Sequence, residues 1–265
     1  MKAKQKVAIV TGAAMGYKRG GSSIGGAVAI QLAKDGYKVV VVDKLRTGER
    51  TVELIKEAGG DAIFIRSDVT STKAVKEIMS ITKAKFGGLT CLVSCVARYS
   101  SGMAKSVAEI SEDEWNTTLA VNLGGYFKCA KYAIPLMLKS GGGSIVNISS
   151  YASFASMPNF SVYSVAKGAI DAMTRSIAID FAPKIRCNSI CPGFVRIENS
   201  ENGRTRKELK EWYGRIAKQY PMKRVAEVEE IANVVSFLVG DKASYINGQS
   251  IVVDGGKSVY DFHEF

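Results

Sequence analysis

A single histidine, His263, stands near the C-terminal end of 265 residues. Unless that tail folds back, its isolation sets aside Ser-His-Asp hydrolysis, His-ligated metal chemistry and His-based hydride transfer. If the chain is an enzyme, its base is therefore not expected to be imidazole. Cysteine is sparse as well: Cys91, Cys95, Cys129, Cys187 and Cys191 are odd in number and sit mostly in apolar, strand-like runs. They read as reduced core residues rather than a disulfide framework. Cys91 and Cys95 have no His or further Cys at ligand spacing, so no metal site is expected. No apolar run reaches the ~18 residues of a membrane span. Met1-Lys2-Ala3-Lys4-Gln5-Lys6 leads into the strand-like Val7-Ala8-Ile9-Val10 without the apolar stretch of a signal peptide, so a cytoplasmic protein is expected. Repeats, low-complexity runs and linkers are missing too.

Basic residues are in excess, with a net charge of +11. The Lys and Arg are spread along the chain, often beside Asp and Glu, and no basic cluster alternates with aromatics. That pattern reads as a solvated surface and excludes nucleic acid as the expected partner, while favouring an anionic cofactor or acidic substrate. An apolar content of 46% with 23% charge describes a globular protein able to bury a large core.

Strand-like and helix-like stretches alternate from end to end. The strands are expected at Lys6–Thr11, Lys38–Asp43, Ala62–Ile65, Leu89–Val96, 144–149, Ile185–Cys191 and Ser250–Val253. Helices are expected over Ser23–Lys34, Thr51–Ala58, Ser71–Phe86, a long stretch from Ser111 to about Lys139, the segment opening at Tyr163, about Thr205–Tyr220 and Val228–Leu238. Ser111 and Glu114 carry the spacing of a capping box. The unbroken β-branched run Val39-Val40-Val41-Val42 marks a parallel strand buried on both faces. The expected fold class is α/β, one Rossmann-like doubly wound parallel sheet flanked by helices in a single domain.

The chemistry gathers in Asn147–Ala169. An apolar strand runs into a Ser/Ala/Phe/Pro loop and then into Tyr163-Ser164-Val165-Ala166-Lys167 at the start of a helix. Tyr163 and Lys167 are four residues apart and share one helix face. An ammonium about 4 Å from a phenol contributes on the order of 4 kcal/mol at an effective dielectric of about 20. Tyr163 is thus expected to be brought toward neutral pH, where a general acid/base works best.

Together with Ser150 thirteen residues before Tyr163 and a Gly-rich turn after the first strand, this pair resembles the short-chain dehydrogenase/reductase family. The resemblance implies Ser150, Tyr163, Lys167 and the helix-borne Asn122 of Val121-Asn122-Leu123-Gly124-Gly125 as the catalytic set. Ser150 would donate to the substrate oxygen, with Ser149 as the adjacent alternative, and Tyr163 would pass a proton. Lys167 would bind the nicotinamide ribose and lower the Tyr163 pKa, and Asn122 would bend its helix and hold a water that completes a relay.

The cofactor end resembles the family in part. Thr11-Gly12-Ala13-Ala14 opens the Gly-rich turn, and Ile24-Gly25 closes it after the insert Met15–Gly21, with Ser23 where the family has Gly. A Ser there can cap a helix and offer a hydroxyl to phosphate. Asp43 ends the second strand, where a carboxylate accepts the adenosine ribose hydroxyls and repels a 2′-phosphate. NAD is therefore expected over NADP, against the pull of Lys18, Arg19, Lys44 and Arg46. By resemblance Asp68 and Val69 line the adenine, Ala97 lets the cofactor pass, and Pro192, Gly193 and Val195 approach the nicotinamide. Two departures stand out: Ser94-Cys95-Val96-Ala97 replaces Asn-Asn-Ala-Gly, and Ile197 replaces a Thr.

Phe194 to Tyr220 would be the substrate lid, which with Phe154, Met157 and Phe160 offers bulk for a ring or long chain, such as a steroid, sugar or ketoacyl group. Core packing explains such residues equally well. Arg98 and Arg196 are candidates for meeting a carboxylate or phosphate. Enoyl reductases also carry long Gly-turn variants but separate Tyr from Lys by six residues, and Ile170 stands there instead. Three readings are carried: an NAD(P)-dependent enzyme interconverting a secondary alcohol and a ketone, a dinucleotide-binding protein with impaired catalysis, and a nucleic-acid or scaffold protein. Family resemblance also implies a homotetramer packed through the helices bearing Asn122 and Tyr163.

Overall fold

A computed structural model describes residues 5–16, 22–197 and 203–260. Lys18, Arg19, His263 and most of the inserted turn lie outside the described residues. Seven parallel strands form one sheet: β1 (Val7–Thr11), β2 (Lys38–Asp43), β3 (Ala62–Arg66), β4 (Cys91–Ser94), β5 (Gly143–Ile148), β6 (Ile185–Pro192) and β7 (Ser250–Val253). Their spatial order is β3-β2-β1-β4-β5-β6-β7. The helices are α1 (Ile24–Lys34), α2 (Gly48–Glu57), α3 (Thr72–Phe86), α4 (Glu112–Leu119), α5 (Gly125–Lys139), α6 (Ser161–Asp180), α7 (Arg206–Lys218) and α8 (Val228–Val239).

The strands read as continuous apolar runs because both faces of the sheet are covered. Alternate residues enter opposite cores. Ala8, Val10, Val39, Val41, Cys91 and Val93 face one core with Val28 and Leu32 of α1, Ile55 of α2 and Val235 of α8. Val7, Ile9, Val40, Val42 and Leu92 face the other with Ile78 of α3, Met137 of α5 and Ile177 of α6. All five cysteines are unbridged, and Cys91, Cys129, Cys187 and Cys191 are buried. Among the described residues no helix is long and apolar enough to cross a membrane.

Several boundaries differ from those expected, each for a local reason. The fourth strand ends at Ser94 instead of Val96, because beyond Cys95 the chain leaves the sheet toward α4. The long helix from Ser111 is broken: α4 gives way to a π-helical turn over Ala120–Gly124, from which α5 resumes. The capping box at Ser111 is half formed. Ser111 Oγ accepts from the Glu114 amide, but the Glu114 carboxylate is drawn away to Arg98. A complete box is at Thr205 and Glu208, ahead of α7.

The strand order reverses between β1, which pairs with β2 on one side, and β4 on the other. Loops leaving the C-terminal ends of β1 and β4 part in opposite directions, and a crevice opens there. At the opposite end of the sheet the packing is tight. A Cβ added to Gly143, at the start of β5, would lie 1.9 Å from the Thr90 carbonyl oxygen. Among the described residues nothing lies within 4 Å of such a Cβ on Gly214, in the interior of α7. Gly143→Ala is expected to cost about 2–3 kcal/mol by forcing β4 from β5, and Gly214→Ala to add up to about 1 kcal/mol. Urea unfolding of the two variants checks both signs.

Candidate active site

The turn at the crevice is built for close backbone approach. Gly12 has φ +66°, and a Cβ on it would sit 2.8 Å from the Val96 amide nitrogen. A Cβ on Gly25 would sit 2.1 Å from the Gly12 carbonyl, so α1 rests directly on the turn. Tight turning and helix–strand packing are the tasks glycine performs in a dinucleotide-binding turn. Ser23 caps α1, accepting from the Gly26 amide at 2.9 Å and donating to Ala14 O at 2.7 Å, and Ile24 begins the helix. The first turn of α1 holds no acidic residue, which leaves its positive end unopposed. Thr51 ties the turn from α2, donating to Ala13 O and accepting from the Met15 amide.

Asp43 ends β2 where the sequence places it, with part of its carboxylate already engaged. Oδ2 accepts from the Ala14 amide and Oδ1 from the Leu45 amide, each at 3.0 Å. Lys44 reaches Asp68 Oδ2 at 2.9 Å, and Asp68 also accepts from Thr70. Burial of Asp68 opposes its charge, yet these donors hold its carboxyl below the usual value. Val69 packs against Gly125 at the start of α5. Ala97 lies exposed in the loop beyond β4, and the buried Ser94 Oγ has no hydrogen-bond partner among the described residues. Burial pushes the Cys95 thiol up to about 12. At the end of β6, beyond Pro192, Gly193 donates its amide to Val253 O and Val195 bridges to Ala226. Ile197 turns into the core. The glycine turn, the unopposed start of α1, the Asp43 carboxylate and the unpaired Ser94 hydroxyl fit a dinucleotide.

Tyr163 and Lys167, one turn apart on α6, are both buried. The Lys167 ammonium donates to Ile148 O at 2.7 Å, lies 3.5 Å from the Tyr126 hydroxyl, and stands 5.6 Å over the Tyr163 ring. Burial pulls it down to about 8. The expected lowering of Tyr163 is not what this arrangement gives: burial pushes the phenol above its ordinary value, opposed by hydrogen bonds from Tyr99 and Ser150. Lys167 points its charge at a backbone carbonyl rather than at the phenol oxygen. The two serines separate cleanly. Ser149 Oγ is spent on Lys167 O at 3.1 Å, while Ser150 Oγ accepts from the Ala152 amide at 3.2 Å and favours ionisation of Tyr163.

Asn122 is fully buried in the π-helical turn. Its Oδ1 accepts from the Arg98 amide at 2.7 Å and its Nδ2 donates to Arg98 O at 3.2 Å. Each end of the amide thus makes one hydrogen bond to the Arg98 backbone and keeps capacity for a second partner. Arg98 also makes a two-pronged ion pair with Glu114, and Ser100 Oγ donates to the same carboxylate at 2.7 Å. Arg98 is therefore structural, and Arg196, paired with Glu227 and stacked on Tyr213, is engaged as well.

Between Arg98 and Ser100 stands Tyr99, which the sequence analysis passed over. Its hydroxyl donates to that of Tyr163 at 2.5 Å, with ring centroids 5.1 Å apart. The available signal was its position just beyond β4 at the crevice. Met157 and Phe160 join a small cluster around Tyr163, as core packing predicts, while Phe154 stays exposed. Phe194, Trp212 and Tyr213 stack edge-on in the expected lid. Cavities of about 510 and 410 Å³ flank this lid, and neither is lined by Tyr163 or Ser150.

A family model described as enoyl-(acyl carrier protein) reductase matches residues 20–258. An uncharacterised oxidoreductase of Thermotoga maritima is 38% identical over 256 residues, covering 96% of this chain and 97% of its own length. The 3-oxoacyl-[acyl-carrier-protein] reductase FabG of Staphylococcus aureus is 34% identical over 95% of this chain and 97% of its own. Ligand-free aldohexose dehydrogenase of Thermoplasma acidophilum superposes with a TM-score of 0.85 at 32% identity, covering 99% of this chain and 97% of that one.

Arg98, with Ser100 and Thr118, holds the Glu114 carboxyl down at about 2, against 4.5 ordinarily. Because the folded value is depressed, this stabilisation is fully present above pH 4.5 and is lost as pH falls toward 2. Glu114→Gln is expected to lower the thermal midpoint at pH 6, and the gap to wild type should close steadily between pH 4.5 and 3. Scanning calorimetry across that range reads the effect.

Proposed function

Since the chain belongs to the short-chain dehydrogenase/reductase family and is an NAD(P)-dependent oxidoreductase, we propose that it interconverts a secondary alcohol and a ketone, with Tyr163 as general acid/base. The observation that carries this reading is the buried Tyr163 hydroxyl, met at 2.5 Å by that of Tyr99 and one helical turn from the buried Lys167, with Ser150 among the groups that favour its ionisation. When bound, the nicotinamide gives or takes the hydride. Ser150 donates to the reacting oxygen and fixes its place. Tyr163 Oη supplies a proton when a ketone is reduced and accepts one when an alcohol is oxidised. Lys167 keeps a positive charge near a phenol whose burial disfavours ionisation, and it is assigned to the nicotinamide ribose. Asn122 holds the loop beyond β4 and is assigned the water that completes a proton relay.

NAD is proposed over NADP. Asp43 faces the end of β2 with a negative charge, and Lys44 is already paired with Asp68. Asp68, Val69, Ala97, Pro192, Gly193 and Val195 keep their assigned places along the cofactor. Although the matching model is described by enoyl reduction, Ile170 stands where enoyl reductases carry Lys, which supports the alcohol–ketone reading. The relatives named for 3-oxoacyl and aldohexose substrates point to an oxygen-rich or acyl ketone, for which the Phe194–Tyr220 lid supplies apolar cover. Exposed Phe127 and Leu138 of α5 with Val165 and Ile179 of α6 support a homotetramer packed through these helices. Five unbridged thiols suit the reducing cytoplasm. Catalytic impairment is the second reading, favoured by Ser94-Cys95 in the fourth strand.

Nicotinamide fluorescence titration tests the cofactor. NADH is expected to bind more tightly than NADPH. Asp43→Asn, which can still accept from Ala14, should shrink that preference at least tenfold; an unchanged preference overturns the assignment of Asp43. Tyr163→Phe is expected to leave NADH affinity within about twofold and to lower turnover of a ketone panel by roughly 10²-fold or more. Binding without turnover in the wild type would instead establish the impaired reading.

A further inference from the structure

Tyr99 is held in the site from both sides. Its predecessor is clamped through both backbone groups by Asn122 and through its guanidinium by Glu114, and its successor donates to that carboxylate. The loop is therefore pinned on both sides of Tyr99, and the phenol it presents is built in rather than incidental. Although 57% of the Tyr99 surface is exposed, its hydroxyl is the enclosed end. Burial and the neighbouring Tyr163 push that hydroxyl well above its ordinary pKa, so it stays a donor throughout the neutral range.

Under the proposed reading, the reacting oxygen must lie within hydrogen-bond reach of Tyr163 and Ser150 together. Tyr99 Oη already stands 2.5 Å from Tyr163 Oη. The two oxygens of a gauche 1,2-diol are about 3 Å apart, close to one O–H···O length. Two adjacent phenols at this separation can each take one oxygen of such a pair. A substrate with only carbon beside the reacting centre displaces Tyr99 from Tyr163 and leaves a polar hydroxyl without a partner.

We infer that Tyr99 is a specificity-determining residue that pairs with an oxygen on the carbon next to the reacting one, selecting 1,2-diols and α-hydroxy ketones. This rests on the alcohol–ketone reading with Tyr163 as acid/base. It adds a third hydroxyl to the Ser150–Tyr163 pair, and it names the substrate class by the placement of two oxygens. In the free protein the Tyr99–Tyr163 bond closes over the catalytic hydroxyl, and a vicinal pair of oxygens replaces it without loss of hydrogen bonds.

The test uses 1,2-cyclohexanediol, 1,3-cyclohexanediol and cyclohexanol, which share a ring and differ in the second oxygen. Dissociation constants are measured by NMR titration of the cofactor-saturated full chain, and kcat/KM with NAD in the oxidation direction. The wild type is expected to favour the 1,2-diol over both others by roughly tenfold or more in affinity and in kcat/KM. Tyr99→Phe should erase that preference by weakening the 1,2-diol and, since no phenol is then left without a partner, tightening cyclohexanol, chiefly through KM. Equal affinities in the wild type, a preference for the 1,3-diol, or a preference surviving in Tyr99→Phe overturns the inference. Tyr163→Phe separates the two levels: retained turnover there overturns the acid/base reading itself, whereas lost turnover with an indifferent Tyr99→Phe overturns only the role of Tyr99.

Discussion

The reversal of strand order between β1 and β4 is the constraint on which the rest depends. A parallel sheet must send each connection over one of its faces. Where the direction of addition changes, neighbouring strands send their connections apart and no helix fills the gap. The Gly12 turn, the cap of α1, the loop carrying Arg98 to Ser100 and the start of the loop after β5 all open onto that gap. Residues from three stretches, the turn from Gly12 to Ser23 and the loops after β4 and β5, thus share one small volume although they lie far apart in sequence.

Polar groups placed there are buried, and their partners follow from that burial. A buried ammonium must find acceptors, and Lys167 takes the Ile148 carbonyl at the end of β5. The buried Asn122 amide does the same with both backbone groups of Arg98. Once these demands are met, the hydroxyls of Tyr163 and Tyr99 are left facing one another. Desolvation then dominates the Tyr163 phenol, which explains why a charge only one helical turn away does not set its titration. Spacing along a helix fixes a shared face, whereas charge coupling depends on where the long side chain ends.

The Arg98–Glu114 pair links the two halves of this picture. By taking the Glu114 carboxylate away from Ser111 it leaves a capping box half made at α4. In return it fixes the loop that brings Tyr99 over the site. Local preference yields to a contact between residues 16 apart in the chain, one that also draws in Ser100 and Thr118. The π-helical turn that carries Asn122 is a second local irregularity beside the site, and it aims the amide at the same loop.

Much of this molecule was legible in the amino-acid order. Apolar runs located the central strands, since a strand covered on both faces has no polar side to show, although β6 carries Arg186, Asn188 and Ser189. The helical period placed Tyr163 and Lys167 on one face, and the Gly12 and Asp43 positions followed from strand ends. Tertiary structure alone decided which of Ser149 and Ser150 faces Tyr163, where the Lys167 charge goes, how Arg98 is spent, and that Tyr99 meets Tyr163 across 64 residues. The division has one physical cause. Periodicity records which side of an element is buried, and it is written locally; the meeting of side chains at a strand-order reversal depends on how the elements are arranged in space, which no local spacing encodes.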